Sequence, residues 1–156
     1  MDNAEFKTLC RATCVALHCK DPEALAKTGT VEVDGVQVGL FFDGHAAPDR
    51  IICYLDIGPL SPFGREEILS RLLAINLITG TKTAGVYALD RETDNVIFVQ
   101  HFMYPDLLEA EEFAAILKDY AVHANSLRKT LLEPLATQPL SDMLSQSLEQ
   151  RSALLA

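Results

Sequence analysis

Cys10, Cys14 and His18 recur every four residues, the spacing that stacks side chains on one face of a helix. Two thiolates and an imidazole so placed can each reach a zinc ion, and adjacent thiols can also serve a thiol-dependent enzyme. The two cysteines, however, share a stripe with Phe6, Leu9, Thr13 and Leu17, where a free cysteine packs as a small hydrophobe. His18 falls toward the polar edge, and no CxxC pair supplies further ligands. Cys19 follows on the same segment, and Cys53 lies in a predicted strand. The remaining groups with acid–base capacity do not converge. His18, His45, His101 and His123 fall on helix, loop, strand and helix, and the pairs Glu66-Glu67 and Glu111-Glu112 sit at helix starts, where they favour the helix dipole. There is no GxSxG elbow, glycine-rich phosphate loop or HExxH helix. The expectation is no catalytic residue, no metal site and no cofactor.

The elements around these residues follow from hydrophobic period. Asp2 or Asn3 can cap a first helix running to about Cys19. Asp21-Pro22 interrupts it, and Lys27-Thr28-Gly29 leads out of a short following segment. The period then changes from helical to alternating. Val31 and Val33 alternate with Glu32 and Asp34, Asp34-Gly35 signals a hairpin, and the return strand runs Val36 to Phe42. A polar loop from Asp43 to Asp49 leads to a third strand, Arg50 to Ile57, closed by Gly58-Pro59. Ser61-Pro62 opens a middle helix that Gly80 ends. Strands Ala84 to Asp90 and Asn95 to Met103 come next, and Pro105-Asp106 opens a long helix to about Leu132. Pro134 and Pro139 break that helix, leaving a mobile or weakly helical tail.

This order predicts an α+β, two-layer domain, an antiparallel sheet with helices in the order α-β-β-β-α-β-β-α, over residues 1–133, with 134–156 as the tail. With 22 acidic against 13 basic side chains among 156 residues, the net charge of -9 disfavours nucleic acid. No apolar run reaches membrane-spanning length. The opening MDNAEFKTLC lacks the pattern of a secretory signal, so a cytoplasmic protein with reduced thiols is expected.

Two apolar surfaces exceed what one small core absorbs. In the middle helix Ile68, Leu69, Leu72, Leu73, Ile75 and Leu77 cover half the circumference or more, where a helix packed by one face needs a narrower stripe. Either the helix is deeply buried or a second copy of the chain covers it, and the small size favours the second copy. In the second strand Val38, Leu40 and Phe42 point toward the helices, which turns Phe41 outward. Ile52, Tyr54 and Asp56 form the outward set of the third strand, giving an apolar patch of Phe41, Ile52 and Tyr54. The tail, a dimer mate or a partner can cover it.

The stretches IICYLDIGPLSPFGREEILSRLLAINLITG, AGVYALDRETDNVIFVQHF and LEAEEFAAILKDYAVHANSLRKTL resemble the Tir chaperone (CesT-like) family of type III secretion chaperones. The likeness covers about residues 4 to 132 by order of elements. It implies a cytoplasmic homodimer that binds the unfolded N-terminal segment of a secreted effector, keeps it export-competent and needs no nucleotide. It aligns Ile68 to Ile78 with the family's dimerising helix, giving Ile68, Leu69, Leu72, Leu73, Ile75 and Leu77 as the dimer interface. It aligns the first helix and early strands with the effector-binding surface, giving Phe6, Leu9, Val38, Phe41, Ile52 and Tyr54. The three cysteines of the first helix are no part of that pattern. The alternative is a regulatory or protein-binding module of the same fold with a non-effector partner.

Overall fold

The first helix, α1 (Asn3–Ala16), is opened by a reciprocal cap. The Asp2 carboxylate accepts from the backbone N–H groups of Ala4 and Glu5 at 2.7 and 2.8 Å, while Glu5 accepts from the Asp2 N–H at 2.7 Å. Leu9, Cys10, Thr13 and Cys14 are its buried face. It ends three residues before the expected Cys19 because the chain reverses there: His18 takes a left-handed φ of 59°, and the Cys19 N–H donates to the Cys14 carbonyl at 3.0 Å. A short helix α2 (Ala24–Thr28) follows. The computed structural model describes residues 1–79 and 85–132; the expected stop at Gly80, the first residue of the Ala84 strand and the tail 134–156 lie outside the described residues.

Strands β1 (Thr30–Val33) and β2 (Val36–Asp43) form a hairpin whose loop is Asp34-Gly35, both at positive φ, as a two-residue turn between twisted strands requires. The expected loop Asp43–Asp49 contracts to 44–46. The Asp43 side chain accepts from the N–H groups of His45 and Ala46, both at 2.9 Å, and tightens the turn, so that β3 (Ala47–Pro59) begins earlier and runs longer than predicted. Helix α3 (Arg65–Thr79), β4 (Val86–Leu89), β5 (Asn95–Met103) and α4 (Ala110–Leu132) complete the chain. The last helix does not open at Pro105. Tyr104 is left-handed with φ 55°, Pro105–Leu107 makes a single 3-10 turn, and Leu108 is extended before α4 starts.

The five strands pair antiparallel throughout in the order β1-β2-β3-β5-β4. Alternation assigns the faces. Ile51, Cys53, Leu55 and Ile57 of β3 are at most 1% exposed and meet Val36 and Val38 of β2, Val96 of β5 and Phe113, Leu117 and Ala121 of α4 in one core. Phe102 meets Phe113 edge to face with ring centroids 4.9 Å apart. Near the end of α4, Arg128 Nε donates to the Ile57 carbonyl at 2.6 Å and Nη2 to the Asp56 carbonyl at 3.1 Å. Asn125 donates to the Asp34 carbonyl at 2.9 Å, so one helix end holds both the hairpin turn and the end of β3. Gly58 lies under Arg128 at φ 117°, a conformation that glycine alone takes without strain.

Candidate partner-binding surface

With α1 and α4 on one face of the sheet, the opposite face is open among the described residues, and its side chains are mostly apolar. Phe41 of β2 stands opposite Ile52 of β3, and Ile52 opposite His101 of β5. One step along the pleat, Gly39, Tyr54, Val99 and Val86 form a row across four strands. Ile97 continues the face, and the exposed Met103 ends it. Phe41 is 53% exposed and Tyr54 40%, while Ile52, Ile97 and Val99 are half-buried among their neighbours. A Cβ placed on Gly39 would come no closer than 3.7 Å to Tyr54, so this glycine leaves a shallow dent in the row. Such a surface offers broad apolar contact, bordered on β3 by Arg50 beside Met103 and Asp56 beside Ile97.

Of the six residues expected to meet a partner, Phe41, Ile52 and Tyr54 lie together on this face. Leu9 and Val38 do not: at 9% and 0% exposure they belong to the core under the helices, because their strand and helix faces point at each other. Phe6 is half-buried on the helix side, its ring 5.1 Å from that of Phe42. Ile97, Val99, Val86 and Met103 extend the face across β4 and β5 and were not anticipated. Their signal was present in β5, where Val96, Phe98 and Phe102 alternate with Ile97, Val99 and Met103, the double apolar set of a strand packed on both sides.

The expected dimer set divides in two. Ile68 and Leu72, at 3% and 6% exposure, are filled into the chain's own core, and Leu69 and Ile75 pack against that core half-buried. Ile68 and Leu72 are therefore unavailable to a second copy. Leu73 and Leu77, one helical turn apart and 69% and 78% exposed, form the outward apolar strip of α3. Asn76, the polar interruption between them, has a role of its own. Its side-chain NH₂ donates to the Tyr87 carbonyl at 2.9 Å, and its carbonyl accepts from the Tyr87 N–H at 2.7 Å. The amide occupies the backbone positions of a missing neighbour strand and closes the β4 edge of the sheet.

The groups tested for chemistry stay dispersed. Cys10 and Cys14 are fully buried, and burial pushes the Cys10 thiol up to about 12, so it is neutral near pH 7. His18 is exposed on the turn that ends α1. Among the described residues no three His, Cys, Asp or Glu side chains converge on a metal position. The nearest approach to a catalytic pair is Tyr87 Oη and His123 Nε2, 2.8 Å apart at the mouth of an apolar recess of about 330 Å³ lined by Leu55, Ile57, Phe98 and Tyr120. Burial raises the Tyr87 phenol to about 12, which leaves it a neutral hydrogen-bonding group.

Comparison with solved structures gives the architecture its place. A chain of the ExsC–ExsE complex matches with a TM-score of 0.68 and 21% identity, covering 88% of this chain and 100% of that one. A chain of the HopA1–SchA chaperone–effector complex matches with a TM-score of 0.55 and 17% identity, covering 85% and 98%. The fold is the chaperone-like α+β fold that both of these chains share. Its element order is the one expected from hydrophobic period, with the short α2 added. No family model matches the chain, and no curated protein matches it. Among the described residues, no helix of this chaperone-like fold is long and apolar enough to cross a membrane.

Proposed function

We propose that this chain is a cytoplasmic type III secretion chaperone that binds the unfolded N-terminal segment of a secreted effector and keeps it soluble and export-competent. The observation that carries the reading is the open apolar sheet face of Phe41, Ile52, Tyr54, Val99 and Val86 on a chaperone-like fold. An extended peptide presents alternate side chains to such a face, and its ordering entropy is offset only over a long wrapped surface. The net charge of -9 favours a basic segment and keeps chains that expose this face apart. The protein acts by binding, with no catalytic step. Two copies joined through the outward strip of Leu73 and Leu77 would present two such faces to one effector.

The test is co-purification of the native chain and of a Phe41→Glu/Tyr54→Glu variant, with identification and mass of what stays bound. The expected result is a dimer holding one secreted protein by its N-terminal region, lost in the variant while the dimer stays intact. An identical bound protein on both forms would remove the outer face from the site. A partner with no secreted counterpart would replace the chaperone by a regulatory module of the same fold.

A further inference from the structure

The turn that ends α1 brings two cysteines together. In this kind of helix stop the chain reverses through a left-handed residue, and the side chains at the third-last helical position and two residues past the cap come into contact. Those positions are here Cys14 and Cys19, with His18 between them at φ 59° and the Cys19 N–H on the Cys14 carbonyl at 3.0 Å. The positions of the apolar contact that usually closes the motif are thus held by two cysteines, Cys14 in the core and Cys19 half-buried against it. Cys10 sits one turn earlier on the same helix, where the two Cα–Cβ bonds run parallel and do not meet in the geometry of a disulfide.

Access is one-sided. Cys14 is fully buried, whereas Cys19 is half-buried and lines an open cavity of about 450 Å³ between the end of α1, strand β1 and Lys118 of α4. The geometry points to Cys14 and Cys19 as a disulfide-forming pair, a modification site that a small two-electron oxidant of the peroxide class closes from the cavity side. The ionised Cys19 thiol attacks one oxygen of hydrogen peroxide, the O–O bond breaks, and a sulfenic acid and hydroxide result, the hydroxide taking up the proton that the thiol released to give water. The Cys14 thiol then attacks the Cys19 sulfur and expels the second water as the S–S bond forms. Two thiols and one peroxide give one disulfide and two waters.

The closed ring spans the six residues from Cys14 to Cys19 and ties the last turn of α1 to the segment leading into α2. Burial and the neighbouring Cys14 raise the Cys19 thiol to about 11, which makes closure slow near neutral pH and suits sustained rather than brief oxidant. The charged or titratable groups facing that thiol across the cavity are His18, Lys20 and Asp21 of its own segment, Glu32 and Asp34 of the hairpin and Lys118 of α4.

Trypsin isolates the site, since cleavage after Arg11 and Lys20 leaves both thiols in the one peptide 12–20, with Cys10 and Cys53 in others. The full chain is treated with excess hydrogen peroxide under native conditions, unfolded, alkylated, digested and weighed. The expected result is a peptide 12–20 two hydrogens lighter than its dithiol form and carrying no alkyl group, in the native chain and in Cys10→Ala. In Cys19→Ser, whose half-exposed position tolerates the change, that loss is absent. A peptide 12–20 that still takes two alkyl groups, that gains oxygen without losing hydrogen, or that appears linked to the peptide of Cys10 overturns the assignment.

Discussion

Replacing Asn76 by Ala removes both hydrogen bonds that hold α3 against the edge of β4. Tyr87 is 8% exposed, so its freed N–H and carbonyl regain water only partly. At about 1 kcal/mol net for each hydrogen bond lost, the expected cost is about 2 kcal/mol of global stability. Denaturant unfolding followed by circular dichroism would show a lower midpoint with an unchanged slope. Hydrogen exchange supplies the local reading: if opening of this edge becomes easier by the same amount, the Tyr87 amide, which loses its acceptor, exchanges about 30-fold faster. Asn76→Asp separates the two bonds. It keeps an acceptor for the Tyr87 N–H but sets a carboxylate against the Tyr87 carbonyl, so amide protection persists while stability still falls. A cost below about 0.5 kcal/mol for Asn76→Ala, or an unchanged Tyr87 amide, would refute the view that this side chain stands in for a strand.

On α3, Leu72→Asp places a charge in the chain's own core and is expected to abolish cooperative unfolding, whereas Leu73→Asp/Leu77→Asp leaves the fold intact and shifts the mass in solution from dimer to monomer. On the outer face, Phe41→Glu/Tyr54→Glu removes two half-exposed rings, each worth about 1 kcal/mol when covered. Partner affinity is expected to fall about 30-fold or more by titration, with the melting temperature unchanged. Arg128→Ala frees the carbonyls of Asp56 and Ile57 and is expected to cost about 1–3 kcal/mol in denaturant unfolding. Burial pushes the thiols of Cys10 and Cys53 up to about 12, so mass spectrometry after alkylation near pH 8 is expected to find both unmodified until the chain unfolds.

Local period and turn chemistry were enough to order the elements. Alternation in β2 and β3 separates Val38, Leu40, Ile51, Cys53 and Leu55 from Phe41, Ile52 and Tyr54, because successive side chains of a strand must take opposite faces. Asp34-Gly35 fixes the first hairpin for the equally local reason that few residue pairs accept two positive φ angles. The wide apolar surface of α3 was likewise evident, but its division was not. Whether Leu72 or Leu73 faces inward depends on where the helix lies against the β4 end of the sheet, and that contact joins segments whose placement no local period encodes. The same limit hid Asn76, which reads as one polar residue in a Leu-rich helix until Tyr87 is brought beside it. It hid the meeting of Cys14 with Cys19 as well, since a helix drawn on to Cys19 keeps those side chains apart, and only the reversal at His18 makes them neighbours. Sequence thus set which face each residue takes within its own element. The tertiary structure decided what each face meets, because contact between distant segments arises only when the whole sheet and its helices close around one core.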